Sequence, residues 1–329
     1  MLDTTRFQTM RVAALFFVLP FMALTWEIAA AADVSVKVTA IVEHPALDAA
    51  RDGVKDELAA QGYKVGGNLE WEYQSAQGDV GTAGQIARKF VGDKPDVIVA
   101  IATPSAQAAV SAARGQIPVV FSAVTDPVAA KLVSNAKKPG GNVTGVSDLS
   151  PIGKHLDLIK EITPNAKTVG VPFNPGEGNA VVLVDLLKQI APGKGLTIVT
   201  ASAPSSNDVL AAARSLVGKV DVIYVPTDNT IVSALEAVIK VGIDAKIPVY
   251  AGDTDSVPRG VMAALGFDYY DVGRQTGKIV ARILKGEKAG DISVEGVDIT
   301  QLHVNPGAAE KMGVTIPPAV IARAKKIVQ

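Results

Sequence analysis

The stretch DVIVAIATPSAQAAV (96–110) returns later in the chain as DVIYVPTDNTIVSAL (221–235). Each copy opens on an aspartate, runs through β-branched residues, turns at a threonine and continues as helical sequence. A short apolar strand feeding a helix in this way is the building block of a parallel sheet. The flanks repeat as well, QIPVVFSAVTDP (116–127) against KIPVYAGDTDSVP (246–258). A third pair, SDLSPIGKHLDLIKEI (147–162) and FDYYDVGRQTGKIVARI (267–283), shares an Asp, a Gly five residues later and then a helix. The copies are about 125 residues apart, far beyond the 20 to 50 of solenoid repeats. The duplication therefore describes two similar α/β lobes.

Outward from these copies the same alternation covers most of the chain. VSVKVTAIV (34–42) is strand-like and leads into ALDAARDGVKDELAAQG (46–62), where Leu47, Ala50, Val54, Leu58 and Ala59 recur at helical spacing. In the second half TVGVPF (168–173) predicts a strand, NAVVLVDLLKQIA (179–191) a helix, and TIVSALEAVIKVG (230–242) another. The expected fold is α/β, two Rossmann-like lobes with parallel sheets and right-handed crossovers, joined by a multi-strand hinge. The third pair falls where each strand–helix series ends, so it marks crossings between lobes. Lobe 1 is expected to hold 33–149 plus about 270–297, and lobe 2 to hold 150–269 plus about 298–329.

Composition narrows the function. The chain has 329 residues, 32 basic against 33 acidic, which argues against nucleic acid as a partner. Cysteine is absent, which removes disulfides, thiolate metal sites and thiol catalysis. The histidines His44, His155 and His303 are scattered without metal-ligand spacing, and no P-loop, G-x-S-x-G elbow or G-x-G-x-x-G fingerprint occurs. Neither an enzyme nor a cofactor site is expected. At the N-terminus, Arg6 and Arg11 precede VAALFFVLPFMALTW, and Ala30 and Ala32 have the small-residue spacing of a cleavage site. Residues 1–32 therefore predict a signal peptide cleaved near Ala32, and a periplasmic location.

In an open parallel sheet, ligands bind beyond the carboxyl ends of the strands. Those exits read EHP (43–45), ATPS (102–105), SAVTDP (122–127), NPGEGN (174–179), PTDNT (226–230) and GDTDS (252–256). All carry polar or small residues just before helical sequence, and Ser, Thr, Asp and Asn are good helix caps in any protein. Thr103 then Pro104, and Asp126 then Pro127, read as an N-cap and a first helical residue. Three exits from each half, facing one cleft, also make a ligand site. Helix N-termini suit an anionic group, and Asp126, Asp228, Asp253 and Asp255 suit an ammonium, so the pair fits a zwitterion such as an amino acid. His44 stands in the first exit and is a further contact candidate. Phe121, Phe173, Phe267, Tyr269 and Tyr270 flank exits or crossings and serve either the core or a stacking wall.

Several segments together resemble a known family. VFSAVTDPVAAKLV with GGNVTGVSDLSP, FNPGEGNA, PTDNTIVSALEAV and ALGFDYYDVGRQTGKIVARIL are similar to ABC-transporter substrate-binding proteins of the tryptophan/tyrosine-uptake type. The resemblance spans nearly all of the chain after the signal sequence. It implies a type I periplasmic-binding fold that closes on one small ligand and delivers it to an ABC permease in the membrane. It implies Thr103, Ser105, Ser122, Thr125, Asp126, Asn174, Glu177, Asn179, Asp228, Asn229, Asp253 and Asp268 as ligand contacts. Where relatives carry an NPSEANS-like loop this chain has NPGEGN, and its two glycines are expected to loosen that loop. The protein is expected to be a monomer that binds an amino acid, possible ligands including aromatic ones. A ligand-sensing subunit for a membrane receptor is the alternative use of the same lobes. A LacI-type regulator would need a basic helix-turn-helix where this chain has its signal sequence.

Overall fold

The structure is a computed structural model and describes residues 1–2, 34–297 and 299–328. Most of the expected signal peptide, with its cleavage site at Ala32, lies outside the described residues. The first half runs β1 (Val34–Ala40), α1 (Pro45–Ala60), β2 (Leu69–Ser75), α2 (Val80–Asp93) and β3 (Val97–Ile101). It continues through α3 (Thr103–Ala113), β4 (Val119–Val124) and β5 (Val143–Ser147). The second half runs α4 (Ile152–Ile162), β6 (Thr168–Phe173), α5 (Gly178–Ile190), β7 (Thr197–Ser202), α6 (Val209–Ser215) and β8 (Val222–Val225). Then come α7 (Asn229–Ser233), α8 (Leu235–Ala245), β9 (Val249–Ala251) and β10 (Ala263–Gly266). The chain finishes with α9 (Tyr269–Leu284), β11 (Glu295–Gly296), β12 (Gln301–Val304), α10 (Pro306–Lys311), α11 (Pro318–Ala322) and β13 (Lys326–Ile327).

These strands form two sheets. One is ordered β11-β5-β4-β3-β1-β2, the other β13-β12-β10-β9-β8-β6-β7. All neighbours are parallel except β10 and β12. The order β2-β1-β3-β4-β5 is repeated by β7-β6-β8-β9-β10, so the sequence duplication is a duplication of topology. The inner strands are apolar along their whole length because helices cover both faces; Val97–Ile101 is buried at every residue. Each sheet has its own core, the first built on residues such as Val38, Val99 and Phe121, the second on Val171, Ile223 and Val249. Helix α9 follows a strand of the second sheet but packs into the first core through Val272, Ile279 and Val280. The chain passes between the sheets after Ser147, after Gly266 and after Gly296.

The return of α9 to the first sheet depends on two glycines. A Cβ on Gly273 would lie 2.0 Å from the Ala50 carbonyl oxygen of α1, and one on Gly53 would lie 2.2 Å from that of Tyr270. Backbones in this contact leave no room for a methyl group.

Three local expectations are corrected. Thr103 is the first residue of α3 and not its cap; Ala102 takes the cap position with a left-handed φ of 71°. No helix opens on Pro127: Lys131 is left-handed at φ 59°, and the Leu132 and Val133 amides both return to the Pro127 carbonyl, so the segment closes as turns. The run 230–242 is two helices, because Ala234 leaves helical geometry at φ −118°, ψ 30°.

Candidate functional site

The carboxyl ends of the two sheets meet around a shared cavity. From the first lobe come His44, Ala46 and Leu47 after β1, and Ala123 and Thr125 at the end of β4. From the second come Asn179 on α5, Thr227, Asp228, Asn229 and Val232 around α7, and Asp253 after β9. Asp148 and Tyr269, which stand at two of the crossings, complete the lining. The cavity thus lies at the strand exits that the sequence singled out. Ala123 reaches the cavity because β4 bulges there: it is left-handed at φ 55°, and the register to β5 shifts between Phe121 and Val124.

The free polar atoms define what the cavity asks for. Among the described residues, His44 Nδ1, Asp148 Oδ1, Asn179 Oδ1 and Thr227 Oγ1 are buried without a hydrogen-bond partner. All four belong to lining residues. A buried polar atom left unpaired costs about 1–3 kcal/mol, and four such atoms fall in this one cavity. Three of the lining residues are aspartates, and no described lysine or arginine lines the cavity.

The three acids differ in what remains free. Asp253 accepts from the Ser256 amide at 2.8 Å and from Ser256 Oγ at 2.6 Å, one bond to each oxygen. Asp228 accepts from the Asn174 amide at 2.6 Å and the Ile231 amide at 3.0 Å. Asp148 receives the Tyr269 hydroxyl on Oδ2 at 2.6 Å and keeps Oδ1 open. Burial raises the pKa of all three carboxyls. Asp228 is pushed up to about 8, by burial first and then by the neighbouring Glu177 carboxylate. A cationic group in the cavity would reverse that push. His44 is lowered to about 3 by burial and then by Arg259, so at neutral pH it stands as an uncharged imidazole. Ala46 and Leu47, also in the lining, belong to the first turn of α1, where Pro45 has no N–H and the Asp48 amide is the first to bond back, to His44. That open turn is suited to an anionic group.

Of the thirteen expected contacts, the cavity brings together His44, Thr125, Asn179, Asp228, Asn229 and Asp253. The others stand outside its lining for identifiable reasons. Ser122 Oγ is 2.8 Å from Thr276 Oγ1 and ties β4 to α9. Asp126 caps the Val128 and Ala129 amides of the turn that replaces the expected helix. Asn174 holds its own loop, donating from Nδ2 to Thr230 and accepting from the Gly176 amide. Asp268 caps α9 through the Tyr270 and Asp271 amides. Thr103 and Ser105 are buried at the start of α3 with hydroxyls that have no described partner, yet they do not line the cavity. Glu177 is spent on five protein donors: Asn179 Nδ2, the amide and Nδ2 of Asn229, and the amide and hydroxyl of Thr230. With that carboxylate in place NPGEGN is pinned, and neither Gly176 nor Gly178 takes a left-handed φ.

Tyr269, named in the sequence as either core or stacking wall, lines the cavity, whereas Asp148 and Thr227 were not singled out. One signal for Asp148 was present. It matches Asp268 in the third repeated pair, and the resemblance brought forward the member of that pair which is a helix cap.

The family model for ABC transporter substrate binding proteins matches residues 35–328. A tyrosine-binding protein of Clostridioides difficile (strain R20291) is 45% identical over 271 residues, 82% of this chain and 78% of that protein. A conserved domain protein from Vibrio cholerae is 52% identical with a TM-score of 0.88, over 90% of this chain and 99% of the other. An ABC domain from Streptococcus pneumonia in complex with L-Trp is 36% identical with a TM-score of 0.87, covering 90% and 100%. The ligand-free, open structure of a substrate-binding protein with adhesive properties from Clostridium difficile is 42% identical with a TM-score of 0.68, covering 90% and 99%.

Proposed function

This chain belongs to the ABC transporter substrate-binding protein family, a family of binding proteins and not of enzymes, and on that premise we propose that it takes an aromatic amino acid between its lobes. The observation that carries the reading is the set of unpartnered atoms in one cavity, above all Asp148 Oδ1. Asp148 receives the ligand's ammonium, with Asp228 and Asp253 adding negative potential. The open first turn of α1 receives its carboxylate. Ala46, Leu47, Ala123, Val232 and the Tyr269 ring leave an apolar space for the side chain. The L-Trp and tyrosine ligands of similar proteins support an aromatic side chain.

The lobes, 33–149 with about 270–297 and 150–269 with about 298–329, are the bodies that close on the ligand by hinge motion. Support comes from the likeness to known structures. The chain is nearer to the L-Trp complex than to the open, ligand-free structure, although it shares less sequence with the former. That likeness supports reading the arrangement described as the closed one. The protein is exported by its N-terminal segment, acts as a monomer, and hands its ligand to a membrane ABC permease.

The test is a thermal-shift screen of the purified protein against L-tryptophan, L-tyrosine, other amino acids and sugars. A ligand at 100 times its dissociation constant adds about 2.7 kcal/mol of stability. An aromatic amino acid is expected to raise the melting temperature while sugars leave it unchanged. No shift with any amino acid would refute the assignment. Uptake of the labelled hit by a deletion strain then checks the transport role.

A further inference from the structure

We infer that Glu177 is the positioning residue that makes this pocket select for an amino group, because its carboxylate fixes which end of the Asn179 amide faces the ligand. The inference rests on the amino-acid reading above and adds how the protein distinguishes an amino acid from a similar molecule without nitrogen.

Glu177 lies in the loop after β6 and is 5% exposed. Its Oε2 accepts from Asn179 Nδ2 at 3.2 Å, from the Asn229 amide at 3.2 Å and from Asn229 Nδ2 at 2.5 Å. Its Oε1 accepts from the Thr230 amide at 3.0 Å and hydroxyl at 2.7 Å. A carboxylate has about four lone-pair sites, so none is left to meet a ligand. Asn179 Nδ2 has a second acceptor, the Thr227 carbonyl at 3.0 Å. Both amide hydrogens of Asn179 thus point to acceptors. The orientation follows: Oδ1 takes the opposite side, buried, unpartnered and in the cavity lining.

The consequence is chemical. Asn179 Oδ1 and Asp148 Oδ1 are two acceptors with no donor of their own to offer in these positions. They match the N–H groups of an ammonium and repel a second acceptor. A pocket built to hydrogen-bond a polar group rejects an analogue lacking it far more strongly than an apolar pocket rejects a missing methylene. Replacing Glu177 by glutamine removes one acceptor oxygen and places an NH₂ group among five donors. The Asn179 amide then loses one of its two anchors and is free to turn Nδ2 into the cavity.

The experiment compares L-tryptophan with indole-3-propionate, which lacks only the amino group, by calorimetry on the wild type, Glu177→Gln and Asn179→Leu. The wild type is expected to prefer L-tryptophan. Glu177→Gln is expected to reduce that preference about tenfold, the weight of one hydrogen bond to a charged group, chiefly by weakening L-tryptophan. Asn179→Leu, close in size and without hydrogen-bonding atoms, should reduce it similarly and serves if Glu177→Gln does not fold. A fall of both ligands by the same factor, or an unchanged preference in either folded variant, overturns the inference and leaves Glu177 a strut. If the wild type binds neither compound nor any amino acid, the amino-acid reading itself fails and takes this inference with it.

Discussion

Asp148 is the lining acid with an oxygen to spare, and it should respond most sharply to mutation. Asp148→Asn keeps the shape and removes the charge. A hydrogen bond to a charged group contributes about 1.5–3 kcal/mol, so the variant should bind the amino acid roughly ten- to a hundredfold more weakly. Calorimetry checks it, and an unchanged affinity would remove Asp148 from the role of ammonium acceptor. Asp228 predicts a pH dependence. With its pKa at about 8 in the empty cavity, the carboxyl is mostly protonated at neutral pH. An arriving ammonium favours the charged form, so binding releases a proton, and affinity rises with pH until about 8. Titrations at pH 7 in buffers of different ionisation enthalpy should show that release. The stability of the unliganded protein moves in the opposite direction. The folded state keeps a proton that the unfolded chain gives up near the ordinary value of 3.8, so this group's contribution falls as pH rises from there to about 8.

Helices α1 and α9 show how an element that is distant in sequence becomes part of a lobe. Their approach is set by Gly53 and Gly273, where a methyl group would overlap a backbone carbonyl oxygen. Gly273→Ala should therefore cost at least the usual 1–3 kcal/mol of an overpacked core, roughly, because backbone cannot step aside as a side chain can. A lowered melting temperature would show it; an unchanged one would mean the helices can separate without loss. Helix α7 makes a different point. It has five residues, too few to be stable alone. Glu177 and Asp228 take its first amides, those of Asn229, Thr230 and Ile231. Of the two residues that hold α7 in place, Asp228 also lines the cavity.

For the molecule as a whole, the crossings and the cavity meet at one bond, from the Tyr269 hydroxyl to Asp148 Oδ2. The two residues sit at different crossings, so under the proposed function a ligand held at Asp148 would bear on both segments that hinge closure would bend. Lobe closure predicts that small-angle scattering will record a smaller radius of gyration when a saturating aromatic amino acid is added. Asp148→Asn should need a correspondingly higher concentration for the same change. A radius indifferent to a tightly bound ligand would mean that the lobes do not move.

Much of this architecture could be read directly from the residues. Strand and helix periods are local properties, and a duplicated order of local elements carries a duplicated topology; DVIVAIATPSAQAAV and DVIYVPTDNTIVSAL became β3-α3 and β8-α7-α8. The sheet edge at which the candidate cavity lies followed from the same order. Which side chain at that edge is free for a ligand did not follow. Ser122, Asn174 and Glu177 have the right chemistry, but each is used up by a partner brought in by the fold, such as Thr276, 154 residues from Ser122. Asp148 and Thr227 look no different in the sequence, yet each retains a free oxygen. Whether a polar atom is satisfied depends on every neighbour within about 3 Å of it, and only the tertiary structure decides who those neighbours are.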